Sequence, residues 1–217
     1  MPRSGTNYLE TFLQKNYSVK IAHFKYGWKH GFVPYEKCKI NICIIKNIFS
    51  WLVSIFSYSK KSHEIKNKKE KIDDFIKSEF IWESIFFNNY QSYLKKNSFE
   101  NILLKYENPL EYYKDFTSHY LNNFFCINYE DLLFENNKVI FLIEKELNLK
   151  ANKDIIFCLN NLNPKDGIFM KNLNFSKHNN YEKIHYYKEK KYLNFFNINS
   201  INYINKFLSK NENSFFP

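Results

Sequence analysis

Three short stretches of this 217-residue chain carry side chains whose types and spacing could do chemistry. The first is Pro2-Arg3-Ser4-Gly5-Thr6, followed at once by Asn7. A glycine turn that feeds a helix presents free backbone N–H groups and the positive end of the helix dipole, which suits a phosphate or sulfate. Ser4 and Thr6 add hydroxyl donors, and Arg3 adds a charge-assisted fork. The Walker A pattern is absent, and an ordinary capped turn also accounts for the string. The second stretch runs from Lys46 to Ser54, eight residues apart. Lys46 closes an apolar run, at the end of a strand where open α/β sheets bind ligands, and Ser54 falls two helical turns on. A snorkelling lysine and a helix serine packed on the sheet give the same pattern. The third is Lys29-His30-Gly31. A histidine there could take a proton from a neighbouring hydroxyl at neutral pH, and it reads equally as a polar surface residue.

These residues need elements to position them. Tyr8, Leu9, Phe12 and Leu13 share one helical face, so a turn runs into a helix over Asn7 to Lys15. Val19 to Phe24 reads as a short strand, followed by a loop with Gly27, Gly31 and Pro34. Ile40 to Ile45 is a β-branched run suited to a buried parallel strand. Ile48 to Tyr58 reads as a helix. Ile72 to Lys96 repeats its apolar residues near helical period. Asn108-Pro109 marks a further helix start, running to about Asn122. Asn123 to Asn128 reads as a second buried strand, ending in Tyr129-Glu130-Asp131, and Asn136 to Leu147 as an amphipathic helix. Glu182 to Phe196 and Ser200 to Leu208 read as helices. Strands alternating with helices argue for one three-layer α/β domain.

Composition narrows the classes. A hydrophobic content of 44% with 20% aromatics excludes a disordered chain. The formal net charge of +10 fits nucleic acid, an anionic surface or a small polyanion. Many of the lysines lie in one run, Lys60 to Lys71, which also reads as a solvated face. Phe56, Tyr58 and Phe75 flank that run rather than interleave with it, which is poor for base stacking; no nucleic-acid partner is expected. Cys38, Cys43, Cys126 and Cys158 show no metal-ligand spacing, and Cys43 and Cys126 lie in apolar runs. A reducing compartment fits them. No signal-peptide pattern opens the chain, and Ile40 to Phe56 is too short and too polar to span a membrane. A cytoplasmic location is expected.

The order and spacing of the motifs resemble the PAPS-dependent sulfotransferase family, whose donor is 3′-phosphoadenosine 5′-phosphosulfate. PRSGTNYLE looks like that family's 5′-phosphosulfate loop, and IIKNIFSWLVSIF like its 3′-phosphate strand-loop-helix. Lys46 stands where the family usually has Arg, and Ile48 where it has Pro. Lys29-His30-Gly31 lies between the two phosphate motifs, as the family's Lys-His segment does. Asn108-Pro109-Leu110-Glu111 and FFCINYEDLL resemble its later helix and strand. The likeness covers roughly residues 1–150, and Tyr186 to Leu208 faintly resembles the C-terminal helices of bacterial members.

The resemblance implies a three-layer P-loop-like fold, a central parallel sheet flanked by helices. It implies one domain over 1–217, with a donor-binding core at 1–150 and a helical C-terminal part at 151–217. The implied reaction moves a sulfuryl group from PAPS to a hydroxyl of a glycan or small-molecule acceptor. Arg3 would contact the transferring group, and Ser4, Gly5, Thr6 and Asn7 would hold the 5′-phosphosulfate. Lys46 and Ser54 would hold the 3′-phosphate, and His30 would deprotonate the acceptor. No metal is implied. Met1 directly precedes Pro2, so the family's strand ahead of the loop has no counterpart. The alternative expectation is therefore a truncated, catalytically impaired nucleotide-binding homologue of the same fold.

Overall fold

The computed structural model describes residues 5–21, 40–59, 71–87, 99–152 and 180–211. They form a mixed α/β structure in which helices surround two small sheets. Helix α1 (Thr6–Asn16) buries Tyr8, Leu9, Phe12 and Leu13, the face that sequence periodicity marked. Strand β1 (Ile42–Ile45) follows, then helix α2 (Ile48–Ser59). A short helix α3 (Ile72–Phe75) precedes strands β2 (Phe80–Phe87) and β3 (Phe99–Tyr106). Helix α4 (Pro109–Leu121), strand β4 (Phe125–Asn128), helix α5 (Tyr129–Phe134) and helix α6 (Asn136–Leu147) complete the central part. Near the C-terminus lie helix α7 (Asn180–Lys188), a 3-10 turn (Lys191–Phe195) and helix α8 (Ile198–Lys210).

Strands β1 and β4 pair in parallel, with Ile42 opposite Phe125 and Ile45 opposite Asn128. The parallel strand expected at Ile40 to Ile45 is thus present, and its partner is the strand expected at Asn123 to Asn128. Parallel pairing puts both carboxyl ends at one edge, which is what later gathers the site. Strands β2 and β3 pair antiparallel, from Phe80 opposite Tyr106 to Phe87 opposite Phe99.

An aromatic core joins these elements. Trp51 of α2, fully buried, stacks on Tyr112 of α4 with ring centroids 6.0 Å apart and meets Phe80 of β2 edge-on. Phe80 in turn contacts Phe75 of α3 and Tyr112. Offset and edge-on rings of this kind contribute beyond their buried area.

The structure corrects three expectations. The helix expected over Ile72 to Lys96 ends almost as soon as it starts, and a strand follows from Phe80. Phe80 and Trp82 are buried while Ile81 between them is only partly so. That alternation is strand period, which the spacing of Phe80, Trp82 and Phe86 fits as well as it fits a helix. Residues 88–96 of that stretch lie outside the described ones. Val19 to Ile21 are not in a strand, and 22–24 lie outside the described residues. The helix expected over Glu182 to Phe196 breaks after Lys188, because Lys190 adopts a left-handed backbone (φ 51°) and the chain resumes as the 3-10 turn.

Helix α4 starts where Asn108-Pro109 indicates. The Asn108 side-chain oxygen accepts from the backbone N–H groups of Leu110 (3.0 Å) and Glu111 (3.1 Å), and Pro109 supplies no N–H to orphan. Asn108→Ala is expected to cost about 1 kcal/mol. Urea unfolding should show a lower midpoint with an unchanged slope.

Candidate functional site

At the shared carboxyl edge of β1 and β4, the chain leaves β1 through Lys46 and β4 through Tyr129 and Glu130. Helices α2 and α5 begin there, so two helix N-termini and one lysine converge. Lys46 is almost fully buried, at 3% exposure, which rules out the snorkelling reading. Its Nζ donates to Ser54 Oγ at 2.6 Å and to the Tyr187 hydroxyl at 2.7 Å. It also lies 5.2 Å from the centroid of the Tyr129 ring, within cation–π range. The Lys46 carbonyl accepts from the Tyr113 hydroxyl at 2.7 Å, which pins the end of β1 to α4. The eight-residue spacing is explained by α2 starting at Ile48, which carries Ser54 back over the strand end.

Glu130 caps the same helix from the other side. Its carboxylate accepts from the Asn47 backbone N–H (3.2 and 3.3 Å) and from Ser50 Oγ (2.9 Å). A carboxylate at a helix N-terminus is favoured by the macrodipole and by the unpaired N–H groups. Burial pushes the Glu130 carboxyl up, and the charge of Lys46, then the Asn47 N–H and the Ser50 hydroxyl, pull it back. The Tyr113 and Tyr192 phenols stay protonated. Burial first, then the charge of Glu130, raises Tyr113 strongly and Tyr192 to about 12.

The glycine loop reaches the same place. Gly5 caps α1 with φ 96°, a left-handed backbone that a side chain disfavours, and its carbonyl accepts from Tyr8 and Leu9. A Cβ at Gly5 would overlap Cδ2 and Cε2 of the Tyr129 ring. Gly5 and Lys46 therefore contact one tyrosine ring, and the two anion motifs read from the sequence adjoin.

Of the residues assigned from sequence, Gly5, Lys46 and Ser54 come together, with Thr6 and Asn7 as the first two residues of α1. Arg3, Ser4 and His30 lie outside the described residues, as does the lysine run apart from Lys71. Sequence reasoning assigned no role to Glu130, Tyr129, Tyr187 or Tyr113. The signal for the first two was present. Tyr129-Glu130 ends one strand as Lys46 ends the other, and strand ends of a parallel pair share an edge. Tyr187, 141 residues from Lys46, carried no such signal.

A phosphate at this edge would find a cation, a hydroxyl and the first amides of α2. It would also find the Tyr187 hydroxyl on Lys46 and the Glu130 carboxylate on Asn47 and Ser50. The donor set fits a phosphate in kind; entry requires Tyr187 to turn aside, Glu130 to give up its donors and the Asn47 side chain to release the Phe49 N–H. No protein-family model, curated relative or solved structure matches the chain. Among the described residues, no helix is long and apolar enough to cross a membrane.

Proposed function

We propose that this chain is a sulfotransferase that transfers a sulfuryl group from PAPS to a hydroxyl of a glycan or small-molecule acceptor. The observation that carries the reading is the 2.6 Å contact between Lys46 and Ser54 at the carboxyl end of a parallel strand, next to Gly5. That is the pairing a strand-loop-helix needs in order to hold a 3′-phosphate, the group that separates PAPS from common adenine nucleotides. In this reading the sheet belongs to a three-layer P-loop-like fold. Lys46 and Ser54 bind the 3′-phosphate, while Gly5, Thr6 and Asn7 offer backbone N–H groups to the 5′-phosphosulfate, with Ser4 beside them. Arg3 stabilises charge on the transferring group, and His30 accepts the acceptor's proton. The sulfur–oxygen bond to the nucleotide phosphate breaks as the acceptor oxygen bonds to sulfur, and the nucleotide leaves as 3′-phosphoadenosine 5′-phosphate.

A second reading rests on a specific observation. Lys46 and the head of α2 are engaged by Tyr187 and Glu130, a self-neutralised arrangement that suits a nucleotide-binding homologue without turnover. Thermal unfolding with 3′-phosphoadenosine 5′-phosphate, and with ADP as control, tests the binding that both readings share. Near 100-fold the Kd, the 3′-phosphorylated nucleotide should stabilise by about 2.7 kcal/mol, a rise of roughly 5–10 °C. An equal response to ADP, or none to either, rejects the donor site. Transfer of labelled sulfate from PAPS to hydroxylated acceptors then separates the enzyme from the binder.

A further inference from the structure

The register of the parallel sheet places Cys43 of β1 directly opposite Cys126 of β4. Both are free thiols; Cys43 is buried and Cys126 partly so. The register sets their side chains on one face of the sheet, and the neighbouring thiol, with burial, holds the Cys126 thiol protonated far above its ordinary range. Neighbouring strands lie about 4.7–4.9 Å apart. Disulfides span Cα separations of roughly 4.4–6.8 Å. Two cysteines paired at this spacing fall within the Cα range that a disulfide spans.

We propose that Cys43 and Cys126 are a modification site, a thiol pair that a hydroperoxide converts to a disulfide across the β1–β4 sheet. One thiolate sulfur attacks a peroxide oxygen; the O–O bond breaks, leaving a sulfenic acid and one water. The second sulfur then attacks the sulfenic sulfur. Its proton leaves with the displaced hydroxide as a second water, and the S–S bond forms. Two thiols lose two electrons in all, and one hydroperoxide gains them. Directly opposed neighbours in a sheet leave little freedom to relax the bridge, so a dithiol reverses it. The bridge ties the two strands just before the residues that end them, Lys46 and Tyr129. It stands whether or not the site binds a sulfuryl donor.

The test uses the full wild-type chain, reduced, treated with hydrogen peroxide, alkylated and mapped as peptides without reduction. The expected result is complete loss of Cys43 and Cys126 from the alkylated pool and a linked pair of their peptides, two hydrogens lighter than the sum. A dithiol should return both. In Cys43→Ser no link to Cys126 should form. A link from either thiol to Cys38 or Cys158 overturns the assignment. So does oxygen addition at one of the pair while the other stays alkylatable.

Discussion

Lys46→Met should lower stability by about 3–5 kcal/mol, the cost of removing one partner from a buried charged network. A loss of that size moves the midpoint of thermal unfolding down by roughly 10 °C in a chain of this length. Methionine keeps most of the lysine's length and apolar stem, so the loss reports the ammonium and not a cavity. Without it the hydroxyls of Ser54 and Tyr187 lose a charged donor, and Glu130 loses the charge that offsets its burial. Each group left without a partner carries its own desolvation cost.

A double-mutant cycle tells this network apart from simple repacking. Glu130→Gln alone should destabilise as well, because it weakens the cap on α2 and removes the carboxylate charge that acts on Lys46. The Lys46→Met, Glu130→Gln double variant should lose less than the sum of the two, since neither charge is then left without the other. Strict additivity in urea unfolding would mean that the two groups do not act on each other. The same variants address function. Lys46→Met should abolish stabilisation by 3′-phosphoadenosine 5′-phosphate. Glu130→Gln should enlarge it, because a carboxylate no longer opposes the phosphate at the head of α2.

How much of this was legible in the sequence depends on the range of the interaction that decides each element. Helices α1, α2, α4 and α6 were legible because their apolar spacing and caps are local, with Asn108-Pro109 the clearest case. Strands β1 and β4 were legible because each is a short continuous apolar run, and in β1 all but Ile42 are buried. Strand β2 was not, since Phe80 and Trp82 fit two periods and the choice falls to pairing with β3, which itself attracted no assignment. The site divides the same way. The Lys46 and Ser54 pairing follows from strand, turn and helix within nine residues of chain. Tyr187 reaches Lys46 only because α7 packs against α5, a contact that no local pattern encodes.

Gly5→Ala is the second large effect, expected to cost about 2–5 kcal/mol. An L-residue held in the left-handed region costs about 1–2 kcal/mol. Forcing a methyl against a packed ring adds roughly 1–3 kcal/mol. The ring in question is Tyr129, itself buried at 3% exposure and in contact with Tyr187, so it has little room to yield. Thermal unfolding should show a fall of roughly 5–12 °C. In a Tyr129→Ala background the same change should cost only the backbone part, because Cδ2 and Cε2, the atoms it overlaps, are gone. If Gly5→Ala is instead neutral, Gly5 does not rest on Tyr129, and the head of α1 does not share an edge with Lys46. The donor site would then lose its 5′ half, leaving Lys46 and Ser54 as the buried pair of a helix-strand junction.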